Sequence, residues 1–139
     1  MTLITKTTIR VRYAETDQMG VVHHGNYATY LELARIEWLE QLGFSYKKME
    51  EQGVMLPVYT MQFEFKKSAF FDDNLTIVTI LREKPRARIT FDFEIYNQEK
   101  ELLTLASVTL VFMSMMRKRP IACPDYLLEL MEKHDSYEV

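Results

Sequence analysis

The residues able to do chemistry crowd into one short stretch, Tyr13 to Tyr27, which reads YAETDQMGVVHHGNY. It holds two acids, Glu15 and Asp17, and two of the chain's three histidines, His23 and His24. It ends where the longest helical pattern begins: Tyr27, Tyr30, Leu31, Ala34, Trp38 and Leu42 recur at three- and four-residue steps. The first turn of a helix has unpaired N–H groups and carries about half a positive charge. A carbonyl oxygen placed there is polarised, and an oxyanion is stabilised. A carboxylate a few ångströms away could attack that carbonyl carbon or deprotonate a water. Gly20 and Gly25 let the backbone approach a ligand closely. The plainer alternative is that Asp17 is only a turn residue and that Gly20 only supplies a turn's positive φ. Residue types alone leave both readings open.

Other chemistries find less support. Adjacent side chains such as His23 and His24 are expected to diverge, and no third ligand has suitable spacing, so no metal site is expected. His134 is expected at the surface. There is no G-x-S-x-G elbow, no phosphate-binding G-x-x-x-x-G-K-[ST] loop and no G-x-G-x-x-G, and no cofactor is implied. One cysteine, Cys123, excludes an internal disulfide and a multi-thiolate zinc site, and is expected to be a structural thiol. A net charge of -3 speaks against nucleic-acid binding, which needs a basic surface. No apolar run is long enough to span a bilayer, and MTLITKTTIRVRY lacks the apolar block of a signal peptide, so a cytoplasmic location is expected.

The elements that must position the Asp17 stretch follow from periodicity. Ile9, Val11 and Tyr13 alternate with Arg10 and Arg12 as in a half-buried strand. Asn26 suits the N-cap of the long helix and Gly43 its C′ position. A short helix is expected over Ser45 to Gln52, with Ser45 as N-cap. Period-two patterns then mark strands around Met61–Phe65, Leu75–Leu81 and Ile89–Ile95. Phe71-Asp72-Asp73-Asn74 reads as a turn, and Asn97 to Glu101 as a polar hairpin connection. Leu102 to Met116 reads as one long strand, apolar on both faces, which predicts an intersubunit contact. Asp125 suits the cap of a last helix carrying Leu127, Leu128 and Met131. The class is α+β: an antiparallel sheet curled around one long central helix, with residues 1–139 as a single domain.

The stretch AETDQMGVVHHGNYATYLELAR closely resembles the signature of hotdog-fold acyl-CoA thioesterases, the 4-hydroxybenzoyl-CoA thioesterase group and its bacterial relatives. Tyr13, Glu15, Asp17, Gly20, Val21, Val22, His23, His24, Asn26 and Tyr27 fill that signature, and the Phe71-Asp72-Asp73 turn resembles the family's step ahead of a strand. The resemblance implies hydrolysis of an acyl-CoA to a free acid and coenzyme A. Asp17 matches the catalytic aspartate, as nucleophile or general base. The backbone N–H of His24 or Gly25 matches the group that polarises the thioester carbonyl, and the His24 side chain could help place water. The acyl group would lie near Tyr27, Tyr30, Pro57, Val58, Tyr59, Thr60 and Met61. Arg86, Arg88 and Arg117 would meet the phosphates of coenzyme A, which need cations. A homodimer or homotetramer with sites between subunits is implied. The alternative on the same fold is a module that binds acyl-CoA without cleaving it.

Overall fold

The computed structural model describes residues 2–135. Strand β1 (Leu3–Arg10) leads through a 3-10 turn (Tyr13–Glu15) to the long helix α1 (Asn26–Gln41) and the short helix α2 (Tyr46–Glu51). Then come β2 (Val54–Met55), β3 (Val58–Phe65), β4 (Asn74–Leu81), β5 (Arg88–Tyr96), β6 (Leu102–Val111), β7 (Met113–Ser114), β8 (Arg119–Pro120) and helix α3 (Asp125–Asp135). Five strands form an antiparallel sheet in the order β1-β4-β5-β6-β3. The three shortest strands form a second sheet, β2-β7-β8, which the periodicity did not reveal because two-residue strands have no period.

Side-chain alternation explains which face of the large sheet meets the helix. In register, Leu3, Leu81, Phe91, Val108 and Met61 form one apolar row across all five strands. The adjacent row on the opposite face, Ile4, Ile80, Asp92, Ser107 and Gln62, is mixed. Only the first kind of row can bury a helix. Helix α1 lies there: Trp38 meets Phe91 edge-on at 4.8 Å, and Tyr27 meets Phe65 at 5.1 Å. Tyr27, Tyr30, Leu31, Ala34, Trp38 and Leu39 are its buried residues. One connected apolar cluster runs from Leu3 to Met131.

Several sequence expectations hold. Helix α2 is capped by Ser45, whose hydroxyl accepts the Lys48 N–H at 3.0 Å. Gly43 ends α1 in the left-handed region at φ 100°. The β5–β6 connection is closed by Asn97 Oδ1, which accepts N–H groups of Glu99 and Glu101, each at 3.0 Å.

Others need correction. The N-cap of α1 is Gly25, and Asn26 is the first helical residue; its side-chain amide donates to the Glu15 carbonyl instead, at 2.8 Å. Strand β1 starts at Leu3 and stops at Arg10, so Tyr13 is not in a strand but 77% exposed in the 3-10 turn. The run Leu102 to Met116 is not one strand. It breaks at buried Phe112, whose amide bonds the Ala87 carbonyl at 3.0 Å, and Met115 and Met116 lie exposed in the turn that follows. Strand β6 is interior, between β5 and β3, with Ala106, Val108 and Leu110 buried on one face and Leu105, Ser107, Thr109 and Val111 half-buried on the other. Among the strands of the large sheet, the edge strand β3 exposes three apolar side chains, Val58 at 46%, Tyr59 at 58% and Phe65 at 50%, and the other edge strand, β1, exposes Ile4 at 49%. Helix α3 begins at Asp125, but the Pro124 carbonyl receives the amides of Leu127 and Leu128, so Asp125 is in the first turn rather than the cap. His134 is half-buried, with Nε2 at 3.2 Å from the Leu42 carbonyl at the end of α1.

Candidate active site

Glu15 holds the region together. Its carboxylate is buried and accepts the Arg12 amide at 2.8 Å, the Arg12 guanidinium at 2.9 and 3.1 Å, and the Tyr30 hydroxyl at 2.8 Å. Its carbonyl accepts the His23 amide at 2.9 Å and the Asn26 side chain at 2.8 Å. One residue therefore ties the 3-10 turn, the histidine pair and the start of α1. Burial alone would raise the Glu15 carboxyl, but the bonds from Arg12 and Tyr30 outweigh it, and the group sits below the ordinary carboxylate range. Burial and the neighbouring Glu15 charge push the Tyr30 hydroxyl up.

Asp17 opens a tight loop next to that anchor. Its amide bonds the Val21 carbonyl at 2.9 Å, and Gly20, at φ 79°, returns its amide to the Asp17 carbonyl at 3.0 Å. Oδ1 of Asp17 accepts the Met19 amide at 2.8 Å and the Val21 amide at 3.4 Å. Oδ2 has no donor among the described residues. Isolated bridges between Thr16 and Val22 and between Val21 and Phe70 pin both ends of the loop.

The amides at the start of α1 are not equivalent. Asn26 donates to the His23 carbonyl and Tyr27 to the His24 carbonyl. The Gly25 amide donates to His23 Nδ1 at 3.1 Å. The His24 N–H has no acceptor among the described residues. The two imidazoles do not diverge, as expected from their adjacency, but stack at 4.3 Å between ring centroids. His23 is held on both sides, its amide on the Glu15 carbonyl at 2.9 Å and its Nδ1 by the Gly25 amide at 3.1 Å.

Asp17, His23, His24 and Tyr27 together line one cleft of about 370 Å³, with Phe65, Lys66, Lys67 and Ser68 as its opposite wall. The last four were missed in the sequence. They lie some forty residues away, and the Val22 amide on the Ala69 carbonyl at 2.8 Å, the Val21–Phe70 bridge and the Tyr27–Phe65 ring contact bring them near. Lys67 is paired with Glu101 at 2.6 Å and Lys66 with Glu64 at 3.1 Å.

The remaining sequence candidates lie elsewhere in the chain. Tyr30 is beneath the loop, bonded to Glu15, and lines a separate groove with Ile9, Arg12 and Thr29 rather than the Asp17 cleft. Val58 starts β3, about 23 Å along the eight-residue strand from Phe65, with Pro57 just before it and Tyr59 next to it, while Thr60 and Met61 lie towards mid-strand. Arg88 is at that far end too, its guanidinium 4.4 Å above the Tyr59 ring. Arg86 is exposed nearby, its carbonyl bonded to the Cys123 amide at 2.7 Å. Arg117 is exposed in the turn before β8. Within one chain, then, Tyr27 is the one proposed acyl contact on the Asp17 cleft, while Val58, Tyr59 and Arg88 lie at the opposite end of β3.

A model of the thioesterase-like superfamily matches residues 11–131. YneP of Bacillus subtilis (strain 168) is 32% identical over 139 residues, covering 97% of this chain and 96% of its own. The acyl-CoA thioester hydrolase YbgC of Escherichia coli O157:H7 is 32% identical over 123 residues, covering 88% and 92%. Among solved structures, the DHNA-CoA thioesterase from Staphylococcus aureus superposes with a TM-score of 0.87 at 37% identity, covering 97% of this chain and 91% of that one. The antiparallel sheet with its long packed helix is thus the hotdog fold, and the chain belongs to the thioesterase-like superfamily.

Proposed function

We propose that this protein hydrolyses acyl-CoA thioesters, with Asp17 as the attacking or proton-accepting carboxylate. The observation that carries the reading is that two residues lining one cleft each keep a group without a partner among the described residues, Oδ2 of Asp17 and the N–H of His24. A thioester carbonyl whose oxygen accepts the His24 N–H at the positive end of α1 becomes more electrophilic. Asp17 then either attacks the carbonyl carbon or takes a proton from water that attacks it. The C–S bond breaks, the sulfur leaves as the coenzyme A thiol after gaining a proton, and water supplies the oxygen of the free acid. Of the two amides considered from sequence, His24 serves better, because the Gly25 amide is already spent on His23. Oδ1 stays on the Met19 amide, which fixes the carboxylate's aim.

The split placement of the other candidates supports a two-chain site. Strand β3 is an edge strand with apolar side chains exposed at both ends. A free edge of this kind is a template for pairing. Antiparallel pairing of two β3 edges around a two-fold axis brings the Val58 end of one chain beside the Phe65 end of the other. Tyr59, Thr60, Met61, Arg88 and Arg86 of one subunit would then flank the Asp17 cleft of its partner. The acyl group would lie against β3, and the arginines would meet the phosphates.

The test is thiol release from a panel of acyl-CoAs by the wild type and Asp17→Asn. Turnover by the wild type and a loss of about a hundredfold or more in Asp17→Asn are expected. Equal rates in both would remove Asp17 from the chemistry, and no release from any acyl-CoA would leave a binding module.

A further inference from the structure

Beside the C-terminal half of α1 lies a second cavity, of about 270 Å³, that the chemistry above leaves unused. Most of its wall is apolar, including Leu39, Met49, Leu56, Phe91 and Leu127. Four residues with polar groups interrupt that wall, Glu32, Arg35, Trp38 and Tyr46, and two of them hold a donor without a partner. Arg35 Nε and Trp38 Nε1 are buried and have no acceptor among the described residues. A guanidinium and an indole N–H can only donate. A donor removed from water without a new partner destabilises the fold, so two beside one cavity point to a ligand that brings the acceptor. Burial lowers the Arg35 pKa, while Glu32, one turn earlier, raises it. A guanidinium keeps its charge in either case.

The cavity therefore suits a group that is apolar along its length and carries an acceptor oxygen at its end. Its position says which ligand. Val58 belongs to the wall of this cavity, and Phe65 belongs to the wall of the Asp17 cleft. The β3 pairing described above sets those two strand ends side by side across the subunit boundary. The cavity of one chain then adjoins the Asp17 cleft of its partner on the buried face of the sheet, with Ile89 in its wall, whereas Arg88, which the phosphates would meet, lies over Tyr59 on the other face.

We propose that Arg35 and Trp38 read the far end of the acyl group, selecting acyl-CoAs that end in an acceptor oxygen over hydrocarbon-ended acyl groups of similar size. This rests on the thioesterase reading and the two-chain site. Two sources supply such an oxygen, an aliphatic carboxylate or an aromatic hydroxyl. Separate substrate pairs distinguish them.

The experiment measures kcat/KM for adipoyl-CoA against heptanoyl-CoA, and for 4-hydroxybenzoyl-CoA against benzoyl-CoA. The wild type should favour the oxygen-ended member of at least one pair by about tenfold or more. Arg35→Met should bring that ratio close to one, and Arg35→Lys, which keeps the charge, should retain part of it if the carboxylate is the source. Thermal melts of both variants establish that they are folded. The same pairs are titrated into Asp17→Asn, with and without Arg35→Met, so that discrimination is also read without turnover. An unchanged ratio in Arg35→Met, or a wild type indifferent to the terminal oxygen, overturns this inference while acyl-CoA hydrolysis stands. Absence of all turnover sinks the thioesterase reading instead, and the binding arm still decides whether Arg35 reads the acyl end.

Discussion

At the scale of single residues, Glu15 and Asp17 differ by environment although both are acids in the same loop. Glu15 is buried and fully engaged, whereas Asp17 is exposed and has one oxygen free. Glu15→Gln keeps the shape but loses the charge that Arg12 and Tyr30 address. We expect it to lower stability by about 1–3 kcal/mol in urea unfolding at neutral pH. Its pKa is depressed on folding. The stability it contributes is therefore present above the unfolded carboxyl pKa and is lost as pH falls through the folded value. The gap between wild type and Glu15→Gln should be widest at neutral pH and close under acid, and an undiminished gap in acid would contradict that assignment. Cys123 is the opposite kind of group: burial pushes its thiol up to about 12. It should give no signal with a thiol reagent at pH 8 until the protein is unfolded, so reagent consumption during hydrolysis reports released coenzyme A alone.

At the scale of elements, the start of α1 is set by hydrogen bonds from outside the helix. Gly25 has φ -63° and ψ -21°, a conformation open to any residue. What it lacks is room, because a Cβ there would sit 3.1 Å from His23 Nδ1. Gly25→Ala should therefore displace the His23 imidazole rather than the backbone. We expect a melting temperature within a few degrees of wild type and a kcat lower by roughly tenfold, since the displaced ring crowds the free His24 amide. Unchanged turnover would show that the histidine stack does not matter to the reacting geometry.

For the whole molecule, the proposed two-chain site rests on the separation of candidate residues along β3. Val58→Lys combined with Phe65→Lys places charge at both ends of the exposed edge. The expected outcome is a monomer by light scattering, a retained circular-dichroism melt and loss of thiol release. A monomeric variant with full activity would mean that each chain carries a complete site. Among the described residues, no helix is long and apolar enough to cross a membrane.

Much of this was legible in the sequence because the signals are local. The helix stripe from Tyr27 to Leu42, the cap at Ser45, the turn at Asn97 and the alternating strands each depend on neighbours within a few residues. The Asp17 stretch was legible for the same reason: an acid, a glycine and a helix start lie within one loop. What tertiary structure alone decided is which groups are free and which are spent. That Asn26 bonds Glu15 rather than capping α1, that the Gly25 amide is taken by His23, and that Tyr30 serves Glu15 depend on how separate segments meet. Phe65 and Lys67 on the cleft wall and the unpaired Arg35 donor were invisible for that reason too. Periodicity records which face of an element is buried, but a hydrogen bond between distant residues leaves no period in the chain.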